Sequence, residues 1–322
     1  VTRTVDMALS DVRAQELYDM FPGATNSVSS LTQVPLFLQS FGVAVSQPLY
    51  IALQKQNGLA SSCNTTGIDT PECQPSIRRA AYASLVAKDG KIATLADLTG
   101  DSSLSSTILK VARRDDLSGT QAASNMFFVN GQCGGNGESA DTTSTDYAVS
   151  KAGGLLGGLA IRQDVTDDVA SKLDIQSNVT STTAKTAIGS NTDYVIGVLG
   201  TGSGGKINTY GRFVKIDGVS PNADGTTANY MTATATRYQI ANGYYPFAYV
   251  MYGMYSTAGM ALAGNSAKKA TLLAVMDGLK SSALSDLAGI AYLDSSASNA
   301  VSSKQSLYSR SGGNNCSPIV KL

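Results

Sequence analysis

Short apolar runs alternate with helix-compatible stretches along this chain, and that alternation constrains the fold more than any other feature. The apolar runs cover residues 5–9, 41–45, 108–112, 194–199 and 213–216. The helical stretches cover residues 74–88, 167–173 and 267–287, and residues 244–262 fit a buried strand followed by a helix. Strands that alternate with helices predict α/β units. At 322 residues the chain exceeds the usual size of a single core, so we expect two lobes.

The composition excludes several classes of function. Lys plus Arg number 24 and Asp plus Glu number 24, so no net field attracts the chain to nucleic acid or to an anionic membrane. No apolar run is long enough to predict a membrane span. Charged residues make up only 15% of a chain rich in Ser, Thr, Ala and Gly, a composition typical of an extracellular surface.

Four cysteines permit three pairings. Cys63 and Cys73 flank a polar loop, and pairing them would stabilise the chain by roughly 2–3 kcal/mol in the chain-entropy model. Cys133 would then pair with Cys316, and an even cysteine count agrees with an oxidising compartment. A metal site is not expected, because the chain has no histidine and no Cys-x-x-Cys motif.

The absence of histidine also removes the usual nucleophilic catalysts, and no Gly-x-Ser-x-Gly motif occurs. A Gly-x-Gly-x-x-Gly match at 200–205 lacks the helix that a dinucleotide site needs, because residues 206–216 predict another strand. The tyrosines at 244–255 fit core packing better than a carbohydrate platform. We therefore expect a protein that is not an enzyme and that binds no cofactor.

The segment at 111–120 suggests an oxyanion site. An apolar strand there ends in Arg113 and Arg114, and a helix predicted at 121–129 follows, with Ser118 as a good N-cap. Adjacent side chains of a strand point to opposite faces, so only one of the two arginines is expected to face a ligand. We assign that position to Arg114.

Free N–H groups at the start of this helix, where Gly119 and Thr120 lie, favour an anion at the positive end of the helix dipole. Arg114 would add charge-assisted hydrogen bonds, whereas Asp116 would only accept one. An acceptor suits an anion that keeps a proton, as phosphate does and sulfate at neutral pH does not. The alternative interpretation is a capped surface helix with a solvated Arg-Asp pair.

The segment resembles the anion-binding segment of the phosphate-binding proteins of ABC transporters, in the type II periplasmic-binding-protein family. A strand at 4–11 that ends in Ser10 and Asp11 resembles the family strand whose Asp accepts from the bound phosphate. Five further segments resemble family landmarks in the same order, and they cover residues 34–45, 82–98, 193–198, 216–221 and 243–247.

The resemblance implies a two-lobed α/β fold in which each lobe is a mixed sheet flanked by helices. Lobe 1 would comprise residues 1–45 and 247–322, lobe 2 residues 46–246, and the backbone would cross between them near 43–47 and 245–250. Ligand residues would be Ser10 and Asp11 from lobe 1 and Arg114, Asp116, Ser118, Gly119 and Thr120 from lobe 2. The implied partners are phosphate or a similar oxyanion and an ABC transporter permease, in the periplasm or outside the cell.

The chain departs from the family at its first residues, which lack the family's opening strand, loop and helix. Lobe 1 would then have an unpaired strand edge beside residues 5–9, and exposed edges recruit strands. This departure motivates an alternative function: an extracellular structural or filament-forming subunit, with copies of itself or another partner supplying a strand to lobe 1.

Overall fold

The computed structural model of the chain describes residues 6–18, 28–64, 70–86, 94–114, 119–129, 160–163, 191–202, 211–221, 238–262, 264–281, 289–293, 305–306, 308–311 and 314–322. Within these residues, nine strands form one mixed sheet. They are β1 (Ala8–Ser10), β2 (Leu31–Val45), β4 (Lys110–Arg114), β5 (Ala160–Gln163), β6 (Val195–Gly200), β7 (Arg212–Phe213), β9 (Ala248–Ser256), β10 (Ile290–Leu293) and β11 (Gln305–Ser306). Two small ladders join β3 (Ser76–Ile77) to β8 (Lys215–Ile216) and β12 (Tyr308–Arg310) to β13 (Ile319–Lys321).

Helices connect and cover these strands. They are α1 (Ala14–Tyr18), α2 (Gln47–Gln56), α3 (Ser61–Asn64), α4 (Arg79–Val86), α5 (Leu95–Thr99), a 3-10 turn (Ser102–Leu104), α6 (Gly119–Val129), α7 (Thr257–Ala261) and α8 (Ser266–Leu279). The chain is thus an α/β protein whose mixed sheet is flanked by helices. No helix in the described part of the chain is long and apolar enough to cross a membrane.

The long strand β2 joins two groups of strands. Its residues 31–40 pair antiparallel with β9, and β10 pairs with residues 37–39 from the other side. Its residues 41–45 pair antiparallel with β6, which continues through the parallel strands β4 and β5. The sheet order is therefore β1-β9-β2-β6-β4-β5, and β2 changes neighbours between Ser40 and Phe41.

An aromatic cluster packs where β2 changes neighbours. Phe41 donates its backbone N–H to the carbonyl of Phe247 at 2.9 Å, and their rings lie 5.5 Å apart. Phe127 of α6 stacks on Phe247 with ring centroids 4.4 Å apart and an interplanar angle of 9°. Aromatic pairs of this kind contribute about 0.5–1.5 kcal/mol beyond their burial. This cluster fixes α6 against the junction of the two strand groups.

The structure confirms several of the predicted elements. The strand predicted at 108–112 is β4, the one at 194–199 is β6, and 244–262 contains β9 followed by α7. The helix predicted at 121–129 is α6, which begins two residues earlier, at Gly119.

Other boundaries were wrong. The helix predicted at 74–88 begins only at Arg79, because Pro75 is followed by β3. The helix predicted at 267–287 ends at Leu279, one residue after the poor helix former Gly278. The strand predicted at 213–216 is split into β7 and β8, and the strand predicted at 41–45 extends back to Leu31. The helix predicted at 167–173 lies outside the described residues.

Cys63 and Cys73 form a disulfide whose Cα atoms are 5.3 Å apart, and both residues are buried. Beside it, Gln54 donates from Nε2 to the carbonyl of Cys73 at 2.8 Å. The disulfide therefore holds its loop against α2. Cys133 lies outside the described residues, so its pairing with Cys316 stays a prediction.

Candidate functional site

The candidate site lies at the carboxyl end of β4 and the start of α6. β4 is parallel to both β5 and β6, and ligands of open α/β sheets bind outside the carboxyl ends of such strands. The strand ends at Arg114, which pairs in register with Gln163, and α6 begins at Gly119. Asp116 and Ser118 lie outside the described residues.

The turn after β1 reaches this end of α6. Thr120 Oγ1 donates a hydrogen bond to Asp11 Oδ2 at 2.8 Å, across 109 positions of sequence. Next to Asp11, the hydroxyl of Ser10 accepts from the backbone N–H of Val12 at 3.3 Å, which shapes the turn. The structure therefore brings the predicted residue Asp11 to the predicted residues Gly119 and Thr120, and Ser10 directly precedes Asp11 in the same turn.

Gly119 permits this close approach. A Cβ atom added at this position would lie 2.9 Å from Asp11 Cβ, 3.1 Å from Asp11 N and 3.2 Å from Asp11 Oδ2. Carbon atoms do not tolerate that separation, so any larger residue would push the turn away from the helix. The glycine is needed here for space.

The first two turns of α6 carry four buried polar side chains, Thr120, Gln121, Ser124 and Asn125. Gln121 Nε2 donates to Asn125 Oδ1 at 2.8 Å. Asn125 Nδ2 is buried and finds no hydrogen-bond partner among the described residues. Sequence reasoning missed Gln121 and Asn125, although amide side chains four positions apart in an otherwise apolar helix are a usable signal.

A buried carboxylate anchors the segment that carries Asp11. Glu16 of α1 is 3% exposed and accepts from the backbone N–H of Arg13 at 2.7 Å and from Arg13 Nε at 3.2 Å. Asn315 donates to the same carboxylate from two nitrogen atoms. Gln33 of β2 adds a bond, since its Oε1 accepts from Ala14 N at 2.8 Å. These contacts hold the turn between β1 and α1 on the sheet.

Burial changes the ionisation of the tyrosines behind this turn. Tyr252, which pairs with Ser10 across β9 and β1, has its pKa raised to about 12 by burial and then by the negative charge of Glu16. Burial likewise raises the pKa of Tyr245 and of Tyr249 above the ordinary value. These phenols stay neutral and act as core side chains at physiological pH.

The other motifs do not form sites in the described part of the chain. No group of three or more metal-binding side chains occurs among the described residues. The glycine-rich stretch at 200–205 follows β6, and the described residues beyond it form β7 and β8 rather than a helix. Residues 203–210, where the helix of a dinucleotide site would begin, lie outside the described residues, so the rejection of that site stays a prediction.

A scan against protein-family models finds no match for the chain, and a search of curated proteins finds none either. Solved structures do match. One is an ABC-type phosphate transport receptor from Vibrio cholerae, with 11% identity over 85% of this chain and 76% of that chain and a TM-score of 0.41.

Two further matches carry similar names. A phosphate-binding protein from Stenotrophomonas maltophilia has 17% identity over 88% of this chain and 70% of that chain, with a TM-score of 0.42. A possible phosphate-binding protein from Planctomyces limnophilus has 13% identity over 77% of this chain and 63% of that chain, with a TM-score of 0.37. All three TM-scores are below 0.5, so these matches do not establish the function of this chain.

Proposed function

We propose that this chain is a secreted, non-catalytic solute-binding protein that binds phosphate or a similar oxyanion. The observation that carries the proposal is the hydrogen bond from Thr120 to Asp11. The resemblance implies that these residues belong to opposite halves of one site, and they lie within hydrogen-bonding distance of each other. A random surface helix would not need this approach of a second segment to its first turn.

Each residue has a separate task in the proposed site. The backbone N–H groups of Gly119 and Thr120 and the helix dipole attract the anion. Arg114 adds a charge-assisted fork of hydrogen bonds. Asp11 and Asp116 accept hydrogen bonds from an anion that still carries a proton.

Two hydroxyl groups complete the proposed set of ligands, Ser10 from the turn after β1 and Ser118 before α6. A hydroxyl both donates and accepts, so these serines suit any oxyanion and add little discrimination. We assign the discrimination between phosphate and sulfate to the carboxylates of Asp11 and Asp116.

The proposed cleft lies between two lobes, residues 1–45 with 247–322 and residues 46–246. The division is supported by β2, which changes neighbours at Ser40 and Phe41, and by the bond from Phe41 N to the carbonyl of Phe247. This bond holds the two segments of the proposed crossings close together, as a hinge between the proposed lobes would require. Closure about this hinge would bury the anion.

An ABC transporter permease is the proposed partner, and the periplasm or the cell exterior the proposed compartment. The disulfide between Cys63 and Cys73 supports an oxidising compartment.

Calorimetric titration of the full chain with inorganic phosphate tests the proposal. We expect saturable binding of one anion per chain. A double variant, Gly119→Ala with Arg114→Ala, should bind at least tenfold more weakly, because both halves of the site are disturbed. Absence of binding at millimolar phosphate would reject the function.

A second candidate function is an extracellular structural or filament-forming subunit in which a partner strand completes the sheet. One observation favours it: β1 is an end strand that pairs only with β9 among the described residues, and its Leu9 is 50% exposed. Light scattering on the native protein separates the candidates. A monomer that binds phosphate supports transport, and a concentration-dependent polymer that binds none supports the subunit.

A further inference from the structure

A single hydroxyl proton links the two halves of the proposed site. Thr120 Oγ1 donates it to Asp11 Oδ2 at 2.8 Å. A threonine hydroxyl has one proton to donate, and an ionised carboxylate has none. Thr120 can therefore donate to Asp11 or to an oxyanion at the start of α6, but not to both at once.

We propose that oxyanion binding exchanges the acceptor of Thr120, a step that rests on the proposed function. The hydroxyl passes from Asp11 to the anion, and Asp11 accepts instead from the proton that the anion carries. No covalent bond changes, and the number of hydrogen bonds rises by one. Asp11 is thus both a ligand of the anion and its competitor for Thr120.

The packing of α6 holds the far end of the helix face that carries Thr120 in place. Thr120, Ser124 and Phe127 are separated by four and three positions, so they lie on one face of α6. At the far end of that face, Phe127 is stacked on Phe247 at 4.4 Å and is 4% exposed. At the near end, the turn that carries Asp11 contacts the helix through the hydrogen bond from Thr120.

The bond between Thr120 and Asp11 joins a buried donor to a charged acceptor. Thr120 is 1% exposed and Asp11 is half-buried, and hydrogen bonds to charged groups are stronger than those between neutral groups. Gly119 keeps Asp11 against the helix, with only 2.9 Å available for a Cβ. The competing contact is therefore held in place by the backbone as well as by charge.

A double-mutant cycle on the full chain tests the exchange, with Asp11→Ala, Thr120→Val and the double variant. The affinity for inorganic phosphate is measured by calorimetry. In the wild-type background, Asp11→Ala removes a contact to the anion but also frees Thr120. In the Thr120→Val background it only removes the contact. We expect the fold-loss of phosphate affinity caused by Asp11→Ala to be roughly ten times smaller in the wild-type background than in the Thr120→Val background.

Ser124→Ala is the matched control, because it removes another buried hydroxyl from the same face of α6. The effect of Asp11→Ala should be the same in this background as in the wild type. If Thr120→Val fails to fold, Thr120→Ala replaces it, since it also removes the hydroxyl proton that is donated to Asp11 Oδ2. In that background, Asp11→Ala should again weaken binding more than it does in the wild type.

The outcomes separate this inference from the proposed function. Phosphate binding with equal effects of Asp11→Ala in both backgrounds overturns the exchange and leaves the function intact. Absence of phosphate binding in the wild type and in Asp11→Ala overturns both. Binding by Asp11→Ala but not by the wild type supports the competition and overturns phosphate binding as the native function.

Discussion

Asn315 donates two hydrogen bonds to the carboxylate of Glu16, from its backbone N–H at 3.2 Å and from Nδ2 at 3.0 Å. The two residues are 299 positions apart, and they are 1% and 3% exposed. Asn315 Oδ1 also accepts from the backbone N–H of Val250 at 3.1 Å. A late segment of the chain, β9 and α1 therefore meet at one buried carboxylate.

Replacing Asn315 by alanine should destabilise the fold by roughly 3 kcal/mol, because it removes a donor from a buried charge and leaves Val250 N–H without its acceptor. Urea unfolding measures the change. Asn314→Ala, which removes only the local bond to Cys316 N, is the control and should cost about 1 kcal/mol. Equal losses for the two variants would contradict the role of the buried carboxylate.

Phosphate should bind more tightly than sulfate by at least tenfold, about 1.4 kcal/mol. Asp11 and Asp116 accept from a protonated anion and repel an anion without a proton. Competitive calorimetry at neutral pH measures both affinities. Asp11→Asn should narrow the difference, because an amide can donate to sulfate. If sulfate bound as tightly as phosphate, the proposal that the carboxylates select a protonated anion would be wrong.

Arg114→Ala should weaken anion binding by about 2 kcal/mol, the usual contribution of a charge-assisted hydrogen bond. Arg113→Ala is the neighbouring control and should change the affinity much less, since adjacent residues of a strand face opposite sides. Calorimetric titration with phosphate compares the two. A larger loss for Arg113→Ala would mean that the other arginine faces the anion.

Non-reducing peptide mapping should recover Cys63 linked to Cys73, and Cys133 linked to Cys316. Replacing Cys63 by serine should lower the free energy of unfolding by roughly 2–3 kcal/mol, because the unfolded loop is no longer closed. The reduced wild type serves as a reference for this variant. A free thiol in the native protein would contradict the predicted pairing of Cys133.

Alkaline titration should separate the buried tyrosines from the exposed ones. The pKa of Tyr252 is raised to about 12, above its unfolded value near 10. Its contribution to stability is therefore fully present below about pH 10 and is lost as the pH rises through about 12. The absorbance of tyrosinate follows the ionisation of these phenols without interference from indole, because the chain has 15 tyrosines and no tryptophan. Tyr252→Phe should remove one group that titrates late. A single transition near pH 10 for all tyrosines would contradict the burial of these side chains.

The element types around the candidate site could be predicted from sequence, because local signals are strong there. The strand that ends in Arg114 and the helix that follows it carry their own apolar pattern and capping residues. The first part of β2 was missed for a local reason, since Pro35 argues against a strand. In the structure Pro35 lies at a register shift of the pairing with β9, where a proline is tolerated.

Contacts between segments that are far apart in the chain could not be predicted from the sequence. The bond between Glu16 and Asn315 has no local signature, because either residue would be equally acceptable on a solvated surface. The resemblance of two separate segments to one family placed Thr120 and Asp11 in one ligand site, but it did not predict the direct hydrogen bond between them. Gly119 is needed because Asp11 lies so close to it in the structure. A glycine at the start of a helix gives no sign of that need in the sequence.

The strands that pair with β2 are synthesised well after β2 itself. Next to the ladder between β2 and β9, the hydroxyl of Thr32 is hydrogen-bonded to the hydroxyl of Thr257, which lies 225 positions later in the chain. At ordinary rates of synthesis this delay is on the order of tens of seconds. During that time the apolar residues of β2 have left the ribosome without their neighbouring strands, and non-local pairing of this kind folds slowly. Until those strands follow, residues 31–45 expose apolar surface and unpaired backbone groups, which favour aggregation of the nascent chain.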